Sequence, residues 1–244
     1  MITFRQTSFV TSILIVSALA WTALLGMTQT MASTSPFLAF MSIWVIMMAA
    51  MMLPTLAPLV SRYARMIEAY RWLGMVQILS GYLGVWALAG IVAYGMTQLV
   101  TAVARSQPDL LTPLAMLIYA VGGVYQFTSL KDRCLATCRT PLAQLLEYAS
   151  WKGHLRHVRV GFHHGVFCTG CCWSLMLLLF AFGWMNIILM VIVAAVVAVE
   201  KLWTRGRWFS YAVGGACLVM AVGVLWFPQL APGLMAPTAV MPMP

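Results

Sequence analysis

The sequence predicts an all-α, polytopic membrane bundle of about seven spanning helices, and three observations predict it. Of the 244 residues, 63% are hydrophobic and 8% are charged, whereas a soluble domain carries roughly 25% charge. A chain so poor in charge cannot cover its own surface, so lipid must take part of that role. Apolar runs near the roughly 20 residues needed to cross a bilayer recur along the whole chain. The basic residues fall on alternate connections between these runs, which is how cytoplasmic loops are marked.

The first run follows Arg5 and extends over 9–28. A secretory leader would have a shorter apolar core and a small-residue cleavage site. Ala18-Leu19-Ala20 matches such a site weakly, so the run is read as a retained helix. The next six runs cover 37–58, 73–99, 111–130, 160–181, 184–204 and 208–228. Phe182-Gly183-Trp184 joins the fifth and sixth in a tight hairpin. The longest polar connection is 131–159. Within it Leu142, Leu145, Leu146 and Ala149 recur at helical spacing, which predicts a short amphipathic helix on the membrane surface. One domain is expected, a bundle over 1–230. A Pro- and Met-rich tail without periodicity follows from Ala231 to Pro244.

With the N-terminus in the cytoplasm, the inner segments carry Arg5, Arg62, Arg65, Arg71, Lys131, Arg133, Arg139, Lys152, Arg156, Arg159, Lys201, Arg205 and Arg207. That leaves only Arg105 of the 14 Lys and Arg outside. The asymmetry predicts a multi-pass protein of the inner (plasma) membrane with its basic loops in the cytoplasm. The net charge of +9 then reflects topology and contact with anionic membrane lipid. It gives no reason to invoke nucleic acid.

Soft ligands stand out next. The chain holds 19 methionines and 6 cysteines. The cysteines are clustered, unlike a disulfide framework. In Met47-Met48-Ala49-Ala50-Met51-Met52-Leu53-Pro54, helical spacing puts Met48, Met51 and Met52 on one face. Thioethers suit Cu(I), although Met also fills gaps between helices. Pro54 and Pro58 remove ladder hydrogen bonds and free carbonyls nearby. Cys134 and Cys138 share a helix face at i and i+4. In a reducing cytoplasm they stay available for metal, and Lys131, Arg133 and Arg139 are expected to lower their pKa values. The alternative for this pair is ordinary packing.

The most specific signal is Cys168-Thr169-Gly170-Cys171-Cys172-Trp173, preceded by His163-His164. Three cysteines in five residues inside a span have little use as packing. Gly161, Gly165 and Gly170 thin the same helix, so a neighbour can approach closely. Thiolate and imidazole sets select Cu(I) and Zn. Glu200-Lys201 places ionisable groups in a span, which marks functional candidates. In the bland reading Lys201 snorkels and Glu200 pairs with it or with an arginine. Asn186 is a weaker candidate, better suited to bonding across helices. His154 and His157 read as loop residues and Cys217 as packing. By topology the methionines, both cysteine clusters, the histidines and Glu200 all fall in the inner half of the membrane.

Several stretches together resemble a family of integral membrane proteins described as metal-binding, some of whose members are labelled copper chaperones. They are Trp44 to Pro54; Tyr125-Gln126, Leu130-Lys131, Cys134-Leu135, Cys138-Arg139 and Pro141; and Gly161, Gly165, Cys168, Gly170-Cys171-Cys172-Trp173, Leu175-Met176, Phe180, Gly183, Met185-Asn186 and Glu200-Lys201. The resemblance runs from about Trp44 to Lys201. Thr128-Ser129 departs from it where a Pro is expected before Leu130. It implies a metal-binding membrane protein and names no reaction.

The residues and the resemblance lead to one expectation. A copper ion is bound by Cys168, Cys171, Cys172, Cys134 and Cys138, with Met48, Met51 and Met52 as softer partners and His163 as a candidate nitrogen ligand. His164, Glu200, Lys201 and Asn186 are further candidates. The role is capture, storage or delivery of copper, with a membrane cuproenzyme or a soluble metal carrier as partner. A membrane metalloenzyme or redox subunit using copper or haem is the alternative, for which four histidines are few. A transporter or assembly subunit with structural cysteines is another. No acid pair, placed nucleophile or phosphate loop suggests a hydrolase, so the sequence favours binding over catalysis.

Overall fold

The structure is a computed structural model that describes residues 2–27, 36–63, 71–183 and 186–235. Arg65, Trp184, Met185 and tail residues 236–244 lie outside the described residues. Those described fold into helices joined by turns, with no strand among them. In chain order the helices are α1 (Ile2–Met27), α2 (Pro36–Tyr63), α3 (Arg71–Ser106), α4 (Leu111–Tyr125) and α5 (Ser129–Arg139). They continue with α6 (Pro141–Ser150), α7 (Arg156–Phe182), α8 (Ile187–Leu202), α9 (Gly206–Gly223) and α10 (Pro232–Met235).

Four stretches are long and apolar enough to cross a membrane: Pro36–Tyr63, Trp72–Ser106, Pro108–Tyr125 and Arg156–Phe182. Within α1 the apolar stretch Val10–Gly26 is shorter, and α8 has 16 residues. Both fall below the roughly 20 that span a hydrocarbon core. Length and apolar composition together therefore support four spans among the described residues, where the hydropathy runs suggest about seven. Large apolar side chains such as Val92, Leu99, Ile188 and Val219 are exposed, which is compatible with membrane association.

The chain forms two compact units. One comprises Met1–Ile91 and Ala136–Thr169, the other Val92–Leu135 and Gly170–Pro244. In the first, α1 packs on α2. Helix α2 continues through both Pro54 and Pro58. Proline has no N–H, so Pro54 leaves the Ala50 carbonyl without its helical donor. The Ser17 hydroxyl of α1 donates to that carbonyl at 2.7 Å. The consequence of the proline is thus a helix–helix bond inside a continuous helix. On α3, a side chain at Gly81 would strike the backbone of Val158 and Phe162 on α7. One at Gly161 of α7 would strike Ile78 of α3. Small residues here let two backbones approach closely.

The second unit is built around α4 and α9. Gly123 faces Leu218 and the Gly214 carbonyl, while Gly214 faces Gln126 and Phe127. The Tyr119 hydroxyl donates to the Leu230 carbonyl at 2.6 Å. Gly183, with φ +94°, turns the chain after α7. Only glycine adopts that backbone without strain.

Candidate metal centre

The first unit holds the thioethers, one cysteine of the central run and both histidines beside it. Met48, Met51 and Met52 on α2 are fully buried, and so is Met47. Cys168 on α7 is buried, and its Sγ lies 3.0 Å from the Tyr82 hydroxyl of α3. His164 is buried one turn earlier on α7. Its Nδ1 lies 3.1 Å from Gln144 Oε1 of α6, and its ring lies 6.2 Å from that of Tyr82. Gln144 Nε2 in turn donates to the Thr137 carbonyl at 2.9 Å. His163 is half-buried in a different setting. Its Nδ1 is 2.9 Å from the Tyr148 hydroxyl, and Trp151, Tyr148 and Phe167 meet its ring edge-on. His157 contacts the Tyr63 hydroxyl at 3.2 Å, and His154 is exposed. Cys138 is half-buried near the C-terminal end of α5.

Three of the clustered thiols belong to the second unit. Cys134, Cys171 and Cys172 are buried and lie within electrostatic reach of the Tyr125 hydroxyl. That hydroxyl donates to the Gly170 carbonyl, and the Tyr125 ring packs edge-on against Trp173 at 4.8 Å. Gly170 makes room for Cys134: a Cβ there would stand 2.8 Å from the Cys134 Sγ. The expectation that cationic neighbours lower the Cys134 pKa fails. Burial, and then the neighbouring Cys171 thiol, push it up. Lys131 cannot oppose this freely, because its charge is engaged elsewhere.

Its partner is Glu200. Lys131 Nζ donates to Glu200 Oε2 at 2.8 Å, with both side chains almost wholly buried. Lys131 Nζ also donates to Gln126 Oε1. Lys131 is therefore a buried, paired cation, and Glu200 is its partner. Lys201 is itself buried. Asn186 caps α8, its side chain accepting from the Leu189 N–H at 3.3 Å, so it serves its own helix instead of a neighbouring one.

Among the described residues, no three His, Cys, Asp or Glu side chains stand together as a ready metal cage. The sequence-derived ligands divide between the units. Met48, Met51, Met52, Cys138, His163, His164 and Cys168 fall in one, and Cys134, Cys171, Cys172, Glu200 and Lys201 in the other. The donors suit a soft ion of low coordination number, because two thiolates satisfy Cu(I) and do not satisfy a hard cation. Tyr82, Gln144, Tyr148, Gln126 and Lys131 complete these clusters and were not singled out as functional from their spacing. Gln126 and Lys131 carry part of the family resemblance, which was the available signal for them.

A family model described as PpoB2, copper chaperone, matches residues 41–224. No curated protein and no solved structure matches the chain.

Proposed function

The chain belongs to the PpoB2 family of copper chaperones, and on that premise we propose that it captures Cu(I) as cargo and hands it on. The observation that carries this reading is the thiol group of the second unit. Cys134 of α5 is seated against Gly170 of α7, beside Cys171. Glycine at 170 has no other evident use than to admit that sulfur. Cys134 and Cys171 take the copper, each losing its thiol proton as the metal arrives. Cys172 of the same unit completes the receiving set. Met48, Met51 and Met52 are weaker thioether ligands suited to release. The acceptor is a membrane cuproenzyme or a soluble metal carrier. The setting is the inner half of an inner membrane crossed about seven times, with α8 and α9 as shorter spans and the N-terminus in the cytoplasm.

Metal content tests the proposal. The protein is purified from copper-supplemented cells beside Cys134→Ser and Cys171→Ser variants, and folding is checked by thermal unfolding. Bound copper in the parent and one equivalent less in the folded variants supports the reading. Absence of copper from the parent, or its full retention in the variants, overturns it.

A second reading is transport, favoured by the buried Lys131–Glu200 pair. An ion pair is costly in a membrane and commonly marks a pathway. It predicts that replacing both partners, as Lys131→Met with Glu200→Leu, which strands no charge, slows copper movement into sealed vesicles while leaving copper content unchanged.

A further inference from the structure

We infer that His164 and Cys168 form a second Cu(I) site, separate from the Cys134–Cys171 pair, with Gln144 and Tyr82 as its positioning residues. The inference rests on the copper-binding reading above and adds a site and its ligand chemistry to it.

The hydrogen bonds decide which nitrogen carries the proton and which the lone pair. Gln144 Nε2 donates to the Thr137 carbonyl at 2.9 Å, which fixes the amide orientation. The oxygen of that amide can only accept. His164 Nδ1, 3.1 Å from it, must therefore carry the proton and donate. In the neutral ring the lone pair then sits on Nε2. An imidazole held by a carbonyl at one nitrogen and carrying its lone pair on the other is how metal-binding histidines are oriented.

Cys168 follows His164 by four residues, so both project from one face of α7. Tyr82 of α3 meets both: its hydroxyl is 3.0 Å from Cys168 Sγ, and its ring is 6.2 Å from the His164 ring. A hydroxyl at that distance can donate to the thiolate that metal binding creates. His163, the neighbouring residue, points into Trp151, Tyr148 and Phe167 instead. The helix turns by about 100° per residue, so only one of two consecutive histidines can share the face of Cys168.

Charge identifies the ion. Cu(I) with one thiolate and one neutral imidazole is electroneutral once the thiol proton has left to solvent. Zn(II) on the same pair keeps one positive charge, which a buried apolar setting disfavours. The site therefore takes a soft monovalent ion.

The test uses the full chain with Cys134 and Cys171 changed to Ser, loaded anaerobically with Cu(I). X-ray absorption reads nitrogen against sulfur neighbours, and competition with bicinchoninate reads affinity. One Cu(I) with a nitrogen neighbour is expected. His164→Gln should remove that neighbour, and Gln144→Leu should weaken binding by about 10- to 100-fold. His163→Gln should change neither. Retained nitrogen scattering and affinity in His164→Gln overturns the inference. So does a Cys134→Ser/Cys171→Ser protein that holds no copper while the parent does, an outcome that leaves the functional reading standing. A parent without copper overturns both. Should His164→Gln fail to fold, the Gln144→Leu and His163→Gln pair decides: equal affinities overturn the site.

Discussion

The sulfur of Cys134 occupies the space that a side chain at Gly170 would fill, the gap to an added Cβ being 2.8 Å. Gly170→Ala therefore sets a methyl against a short, stiff side chain that has little room to give. Overpacking of this kind costs about 1–3 kcal/mol. The variant should unfold at lower temperature and carry less copper than the parent, because the displaced thiol loses its register with Cys171. Thermal unfolding and metal analysis on the same preparation check both. A Gly170→Ala protein with full copper would show that Cys134 is packing.

The Lys131–Glu200 pair makes a second prediction. Both side chains are almost completely withdrawn from solvent. Removing one partner strands the other charge, which costs about 3–5 kcal/mol. Glu200→Gln should thus be strongly destabilised. Replacing both, as Lys131→Met with Glu200→Leu, should recover much of that loss, since no charge is left without its partner. Unfolding of the two single variants and the double variant forms the cycle. A double variant as unstable as the sum of the singles contradicts this account of the pair.

Close contact between α3 and α7 supplies the third. A Cβ at Gly161 would collide with the backbone carbonyl of Ile78, and one at Gly81 with that of Val158. Backbone cannot swing aside as a side-chain tip can. Gly161→Ala should cost more than Gly170→Ala, beyond about 3 kcal/mol. By contrast, Gly84→Ala should be tolerated, since nothing lies within 4 Å of a Cβ there. Comparing the three melting temperatures ranks the sites directly.

Much of this molecule is legible in its sequence because the signals are local. The apolar runs and sparse charge predict an all-helical chain, and the Trp44–Pro54 and Gly161–Trp173 stretches carry the family resemblance. Gly161, Gly165 and Gly170 announce close approach, and each faces a near neighbour. What escapes is the partnering of residues distant in sequence. Lys131 reads as a loop cation because it ends an apolar run among arginines, yet Glu200, 69 residues away, holds it inside the protein. His163 and His164 are indistinguishable by spacing. Gln144 and Tyr82, which separate their roles, belong to other helices. Helix length escapes for a similar reason: Asn186 caps α8 two residues inside the apolar run that contains it.

Alkaline pH supplies the last prediction. Tyr148 on α6 has a phenol whose pKa is pushed above its ordinary value of 10. Burial is the largest cause, followed by the negative charges of Glu147, Cys138 and Tyr63 when these are ionised. The folded protein therefore holds this proton more tightly than the unfolded chain does. The resulting stability is complete below the ordinary value and declines as pH rises through the folded value. Unfolding temperature should be insensitive to this group at neutral pH and should fall above about pH 10. Tyr148→Phe removes the titrating oxygen and its contact with His163 Nδ1. That variant should start less stable at neutral pH and lose less on going to about pH 11. The two pH profiles should therefore converge. Parallel profiles would assign the alkaline loss to other groups.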